Sequence, residues 1–227
     1  MYENYVDEEV DDSFYAYLVE GAEFTKDEEY PIINSDMVAS KVPTKVMPFS
    51  KAISYRGDLS DVVIYFFSPD KTFERVRRNP KKYLSFFRRT AGICGFDYSV
   101  HTDMPLVKQK SQMNDNLSLT YYFGKNGVPI YPSPRGGYDG LTPEYLSAFP
   151  KGTLLSLGVH GFIKKKYQKH EWIVWIKEII ETLHPSGFIV IGHLDKTIID
   201  MFSKDTKFYL FDSLMDERNK EIKQYVN

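Results

Sequence analysis

The feature that most constrains the fold is a series of short, almost wholly apolar segments. The first, VVIYFF at 62–67, is β-branched or aromatic at every position, and comparable runs lie at 153–159 and 188–193. A strand that is apolar at every position is buried on both faces, as in parallel sheets that are covered by helices. These segments therefore predict an α/β fold.

Segments with helical periodicity alternate with the apolar runs. The clearest helix is predicted at 169–187, where Trp, Ile and Leu residues repeat at i, i+3, i+4 and i+7 before Pro185. Further strands are expected at 95–100, 128–134 and 207–213. Successive βα units of this kind predict a mostly parallel sheet, which is either an open sheet or a partial barrel.

The first 60 residues differ from the rest in composition. Residues 1–30 are dominated by Asp and Glu with interspersed aromatic residues, and residues 31–60 combine several prolines with little apolar periodicity. We expect residues 1–60 to form an acidic N-terminal segment followed by irregular, extended chain. Residues 61–227 are expected to form the α/β domain.

Charge and cysteine content restrict the class of protein. The chain has 29 basic and 31 acidic residues, which removes the simple charge argument for a nucleic-acid-binding protein but leaves room for a local basic patch. The single cysteine, Cys94, allows no intramolecular disulfide and favours a reducing compartment. No segment approaches the roughly 20 apolar residues of a membrane span. The sequence predicts a cytoplasmic protein with no membrane partner.

Polar residues follow the predicted strands. In parallel α/β folds, ligands bind beyond the carboxyl ends of the strands, where loops are free to vary and helix N-termini carry partial positive charge. For each residue taken singly, a helix cap, a turn or a solvent contact is the simpler explanation, and Asp70 and Asp195 are expected to act in this way. The candidate site residues are Asp97, Ser99, His101, Asp103, Arg135, Gly136, Gly137, His160 and His193.

The segment GFDYSVHTDMP at 95–105 carries the strongest signal for chemistry. Alternation along a strand places Asp97 and Ser99 on one face. We predict that Asp97, His101 and Asp103 are catalytic, because a partly buried carboxyl or imidazole can serve as general acid, general base or nucleophile. Cys94 is expected to begin a strand and to be a small core residue rather than a nucleophile.

The run RGG at 135–137 predicts anion binding, with Ser99, His160 and His193 as further ligand contacts. A guanidinium beside glycine amides can hold a phosphate or a carboxylate, although Gly-Gly is also ordinary turn chemistry. The spacing of the histidines and of the cysteine predicts no metal site. The sequence identifies no cofactor.

Several motifs together resemble a known family. They are MPFSKAI, FFSPDKTFERVRRNPKKY, FDYSVHTDMP, KNGVPIYPSP, LLSLGVHG and IVIGH, and they occur in this order between residues 45 and 195. The sequence is similar to the uncharacterised domain-of-unknown-function family 4417. Asp97, Ser99, Asp103 and Pro105 match its strand-end motif. The chain departs from the family pattern at 114–119, where an Arg is expected, and at Arg135, which is followed by two glycines where the family has a Trp.

The resemblance implies a phage, plasmid or bacterial mobile-element setting, and hence the cytoplasm of a host cell, but no particular reaction. Three functions stay open. The first is action on a nucleotide or nucleic acid at the strand-end site. The second is a non-enzymatic protein that binds and inhibits or redirects a host protein through residues 2–30. The third is a replication-associated DNA-binding protein that uses the basic clusters at 74–89 and 163–170, which are otherwise solvated helix faces.

Overall fold

The computed structural model describes residues 15–101, 103–135, 143–159 and 166–216, which contain seven strands and seven α-helices. The strands are β1 (Lys45–Pro48), β2 (Val62–Tyr65), β3 (Gly92–Cys94), β4 (Ile130–Tyr131), β5 (Leu154–Gly158), β6 (Gly187–Ile191) and β7 (Phe208–Phe211). The helices are α1 (Phe49–Ala52), α2 (Glu74–Arg78), α3 (Pro80–Phe87), α4 (Leu106–Lys125), α5 (Pro143–Ser147), α6 (Lys166–Leu183) and α7 (Lys196–Phe202).

All strand pairs are parallel, and the strands lie side by side in chain order. One sheet has the order β1-β2-β3-β4 and the second has the order β5-β6-β7. The sheets meet at β4 and β5, where the Ser156 amide donates to the Pro132 carbonyl at 2.8 Å. No pairing of β7 with β1 occurs in the described part of the chain, so the sheets are not closed. The predicted α/β fold of successive βα units is confirmed.

The inner faces of both sheets form one apolar cluster to which all seven strands contribute. Phe67, just after β2, reaches across this interior to β5, where a Cβ atom at Gly158 would overlap its ring. Side chains fill the inside of parallel barrels in this way, so the seven strands pack as a partial barrel. The cluster includes Val46, Val63, Tyr65, Phe67, Cys94, Tyr131, Leu154, Ile189, Ile191, Tyr209 and Phe211.

The helices cover the outer faces. On the first sheet, aromatic residues dominate the packing, and the rings of Phe66 and Phe96 stack with their centroids 4.1 Å apart. On the second sheet, Trp172, Ile176 and Leu183 of α6 pack against the strands. The helix that the i, i+3, i+4 periodicity predicts at 169–187 is thus confirmed, and its apolar side covers the core of the second sheet.

The strand predicted at 95–100 is misplaced. The strand there is β3, which ends at Cys94 instead of beginning at it, and residues 95–100 are extended chain beyond the sheet. Side chains of α4 take the place of a neighbouring strand, because the Phe96 amide donates to Thr120 Oγ1 at 3.1 Å and the Tyr98 amide donates to Asn116 Oδ1 at 2.6 Å. The segment thus alternates like a strand, but its backbone amides donate hydrogen bonds to side chains of α4.

The segment before the first apolar run contributes more to the fold than its sequence suggests. Residues 31–60 contain β1, an edge strand that ends at Pro48, where a missing amide is tolerated. Residues 15–30 pack on the protein body, since Leu18 and Tyr30 are buried and the Glu144 carboxylate accepts the amide of Glu28 at 2.6 Å. A host-protein partner for residues 2–30 stays a prediction, and residues 1–14 lie outside the described residues.

Candidate functional site

The carboxyl ends of β2, β3 and β4 lie side by side, and each is followed by a charged residue. Asp70 follows β2, Asp97 follows β3, and Arg135 follows β4. Parallel neighbouring strands end at the same edge, so residues that are far apart in the sequence meet there. These three residues and Ser99 form the carboxyl-edge cluster.

The centre of the cluster is an ion pair between Asp97 and Arg135. Arg135 Nη1 lies 3.1 Å from both carboxylate oxygens of Asp97 and donates a hydrogen bond to Oδ2. Asp97 is 6% exposed, and its Oδ1 accepts no hydrogen bond from the described residues. The backbone amide of Arg135 donates to the hydroxyl of Tyr145 at 3.1 Å, which anchors the loop after β4 to α5.

Burial changes the acidity of Asp97. Loss of solvent raises the pKa of this carboxyl to about 7, against the opposing attraction of Arg135 and with a smaller raising contribution from the nearby Asp70. A carboxyl with a pKa near neutrality exchanges its proton readily under physiological conditions. Asp97 therefore has the acidity that a general acid or base requires.

Asp70 holds the loop that carries Asp97. Its Oδ1 accepts hydrogen bonds from the amide of Ser99 at 3.2 Å and from the Ser99 hydroxyl at 2.9 Å. As expected, Asp70 lies in the first turn of a short 3-10 helix, Asp70–Thr72, but its carboxylate bonds a residue 29 positions later instead of capping that turn. In the sequence, this role is indicated by the position of Asp70 after β2, the strand that pairs with β3.

Three further predicted site residues are described by the structure, and none of them makes a polar contact with this cluster. His101 and Asp103 are exposed in the loop before α4, and His193 is exposed after β6. Within the described residues, no hydrogen bond or ion pair joins these three to Asp97, Ser99 or Arg135. Gly136, Gly137 and His160 lie outside the described residues.

At the edge of the second sheet, Asp195 and Asp216 accept hydrogen bonds from residues close to them in the sequence. The Asp195 carboxylate accepts hydrogen bonds from the amide of Thr197 at 2.9 Å and from its hydroxyl at 2.7 Å, so the predicted helix cap is confirmed. Ser213 and Asp216 bond each other in the same local manner after β7.

Cys94 points into the inner cluster and is fully buried. Burial raises the pKa of its thiol to about 12, so the thiolate is scarce at neutral pH. The prediction that Cys94 is a core residue is confirmed.

A cavity of about 490 Å³ lies near the carboxyl-edge cluster. It is bounded by the N-terminal segment, α2 and α4, and its wall includes the ion pair of Arg77 with Asp115, whose charged atoms are 3.1 Å apart. The Arg77 guanidinium also lies 5.4 Å from the ring centroid of Tyr98, the residue after Asp97. Arg77 thus connects the wall of the cavity with the loop that carries Asp97.

Two general features bear on the kind of site. In the part of the chain that the structure describes, no three His, Cys, Asp or Glu side chains are grouped so that they could hold a metal ion. None of the described helices is both long enough and apolar enough to cross a membrane.

Comparison with known protein families identifies the family of this chain. The sequence model of the domain of unknown function DUF4417 matches residues 24–212, and the chain therefore belongs to this family. The match confirms the resemblance that the motifs between residues 45 and 195 suggest, and it extends that resemblance to the N-terminal segment and β7. No curated protein and no solved structure matches the chain.

Proposed function

We propose that this DUF4417 protein is a phage or mobile-element protein that binds a phosphate-bearing ligand, a nucleotide or a nucleic acid, at the carboxyl-edge cluster. In this proposal, Arg135 contacts the phosphate and Asp97 transfers a proton to or from the ligand. The cytoplasm of a host cell is part of the same proposal, in line with a phage or mobile-element setting.

The observation that carries the proposal is the pairing of a buried, weakly acidic carboxyl with a guanidinium where three parallel strands end. A buried ion pair contributes little net stability, because desolvation of both charges offsets their attraction. Strongly perturbed carboxyls are concentrated at functional sites. A binding or catalytic role accounts for the cost of burying Asp97.

Protonation of Asp97 and anion binding are expected to be coupled. When Asp97 is neutral, the positive charge of Arg135 is no longer balanced by its partner and attracts a phosphate more strongly. Phosphate affinity should therefore be higher at pH 6 than at pH 8, on either side of the pKa of about 7.

The test is calorimetric titration of the protein with ATP and with inorganic phosphate at pH 6 and pH 8. Arg135→Gln should abolish binding, and Asp97→Asn should retain binding but lose its pH dependence. Asp195→Asn is the matched control, since it changes a strand-end carboxylate at the second sheet, where Asp195 caps α7. If wild-type protein binds neither probe at either pH, the proposed function is wrong.

A further inference from the structure

A strongly basic surface covers helices α2 and α3, and the proposed function does not use it. Residues 71–89 contain eight basic residues and one acidic residue, although the whole chain carries a formal charge of −2. Most of these basic side chains are exposed. The exposed basic residues, which form the α2–α3 basic surface, are Lys71, Arg75, Arg78, Lys81, Lys82, Arg88 and Arg89.

Aromatic rings hold several of these cations in place. The Arg75 guanidinium lies 5.4 Å from the ring centroid of Phe49, and the Arg89 guanidinium lies 5.8 Å from that of Phe86. Phe49 and Phe86 contact each other, with centroids 6.4 Å apart, so the two arginines belong to one continuous surface. Side chains fixed in this way lose little conformational freedom when they bind a ligand.

Few carboxylates neutralise this surface. Glu74 lies 3.7 Å from Arg78, but no carboxylate of the described residues lies within ion-pair distance of Lys71, Arg75, Lys82 or Arg89. In the N-terminal segment, Glu20 and Glu28 pair instead with Lys125 and Lys110 of α4. The positive charge of α2 and α3 is thus available to an external anion.

The surface adjoins the carboxyl-edge cluster. The chain passes from Asp70, which bonds Ser99, through one short turn into α2. Arg77 of α2 then lies over the ring of Tyr98, next to Asp97. An extended anion on α2 and α3 can therefore continue to the cluster.

We propose that the α2–α3 basic surface binds the phosphate backbone of a nucleic-acid strand. A row of separate cations suits the repeated phosphates of a polymer, whereas one nucleotide engages only a local site. This inference rests in part on the proposed function, because it makes a polynucleotide the ligand that reaches Asp97 and Arg135.

The experiment compares two triple variants by fluorescence anisotropy with a labelled single-stranded DNA of about 20 nucleotides, over a range of salt concentrations. Arg75→Gln, Lys82→Gln and Arg89→Gln together remove three charges from the basic surface. Lys151→Gln, Lys196→Gln and Lys204→Gln remove three exposed charges elsewhere and form the matched control. Thermal melting verifies that both variants are folded.

We expect the surface variant to bind DNA at least about tenfold more weakly, with a log–log salt slope smaller in magnitude by about 2 to 3, and the control to stay within about twofold of wild type. Arg75→Lys with Arg89→Lys should retain most of the affinity, because the charges remain. Equal binding by the surface and control variants overturns the inference, as does wild-type protein that binds poly-glutamate but not DNA, which would assign the surface to an acidic protein.

The two proposals fail in different ways. Loss of ATP and phosphate binding with intact, salt-dependent DNA binding contradicts the carboxyl-edge site alone. Intact binding of ATP with no DNA binding by wild-type protein contradicts the nucleic-acid surface alone.

Discussion

The two sheets carry similar polar residues at their carboxyl ends but use them differently. At the first sheet, Asp70 bonds Ser99 and Arg135 pairs with Asp97, so the contacts join the loops of three neighbouring strands. At the second sheet, Asp195 bonds the start of its own helix. Contacts of the first kind fix loops relative to one another, whereas the second kind satisfies backbone groups within a few residues.

This difference separates a candidate site from ordinary turn chemistry. A helix cap contributes to stability wherever it occurs and needs no ligand. Long-range polar contacts in a buried place require desolvated charges that apolar residues could replace at little cost. The contrast between the two edges can be measured with four substitutions.

The largest effect is expected for Arg135→Met, which leaves the buried Asp97 carboxyl without its cationic partner. We expect the free energy of unfolding to fall by about 3–5 kcal/mol at pH 8, and by less at pH 5, where Asp97 is protonated. Urea unfolding at the two pH values provides the measurement. If the free energy of unfolding falls by less than about 1 kcal/mol at both pH values, the Asp97–Arg135 pair contributes no more to stability than a surface ion pair.

The next effect concerns the pH dependence of Asp97→Asn. Burial raises the folded-state pKa from 3.8 to about 7, so the folded protein holds this proton more tightly than the unfolded chain. Wild-type stability should therefore fall as the pH rises from about 4 to about 7, while the Asn side chain contributes no such change. Relative to wild type, the variant should gain roughly 2–4 kcal/mol across this window. Parallel stability curves would contradict the raised pKa.

A moderate effect is expected for Asp70→Ala, which removes the acceptor for the amide and the hydroxyl of Ser99. Hydrogen bonds to a charged group contribute about 1.5–3 kcal/mol, and we expect a loss of about 2 kcal/mol. A double-mutant cycle with Ser99→Ala measures the coupling directly. Additive losses in that cycle would show that the two side chains do not act together.

The smallest effect is expected for Asp195→Ala at the second sheet. Loss of the cap on α7 should lower the free energy of unfolding by about 1 kcal/mol. Titration with ATP should give the wild-type affinity, because α7 lies on the other sheet. A loss of ATP binding in this variant would extend the site to both edges and remove the contrast.

The sequence predicts the fold well because apolar runs and helical periodicity depend on local pattern. It predicts the strands at 62–67, 153–159 and 188–193 and the helix that ends before Pro185. It misplaces β3, since the residues after Cys94 alternate like a strand although Asn116 and Thr120 supply their hydrogen bonds. The sequence of a segment does not show whether its backbone hydrogen bonds go to a neighbouring strand or to helix side chains.

The candidate site is only partly predictable for a related reason. Asp97, Ser99 and Arg135 follow strands and are candidates from the sequence; the structure pairs Asp97 with Arg135 and bonds Ser99 to Asp70. Asp70 also follows a strand, yet a carboxylate before a helix is more simply interpreted as a cap, and only the order of the strands shows that it faces Ser99. His101 and Asp103 have the correct chemistry near Asp97 but lie at the surface.

The order of the strands has a consequence for biosynthesis. Within each sheet, every strand after the first pairs with the one made immediately before it, so a ribosome delivers each new βα unit of that sheet to an edge that is already present. Most strand pairs can therefore form during translation, because they do not depend on segments that are distant in the sequence. The Tyr65 hydroxyl is different, because it accepts the amide of Leu214, which is made 149 residues later. This bond joins β2 to the turn after β7, and it forms after all seven strands have been made.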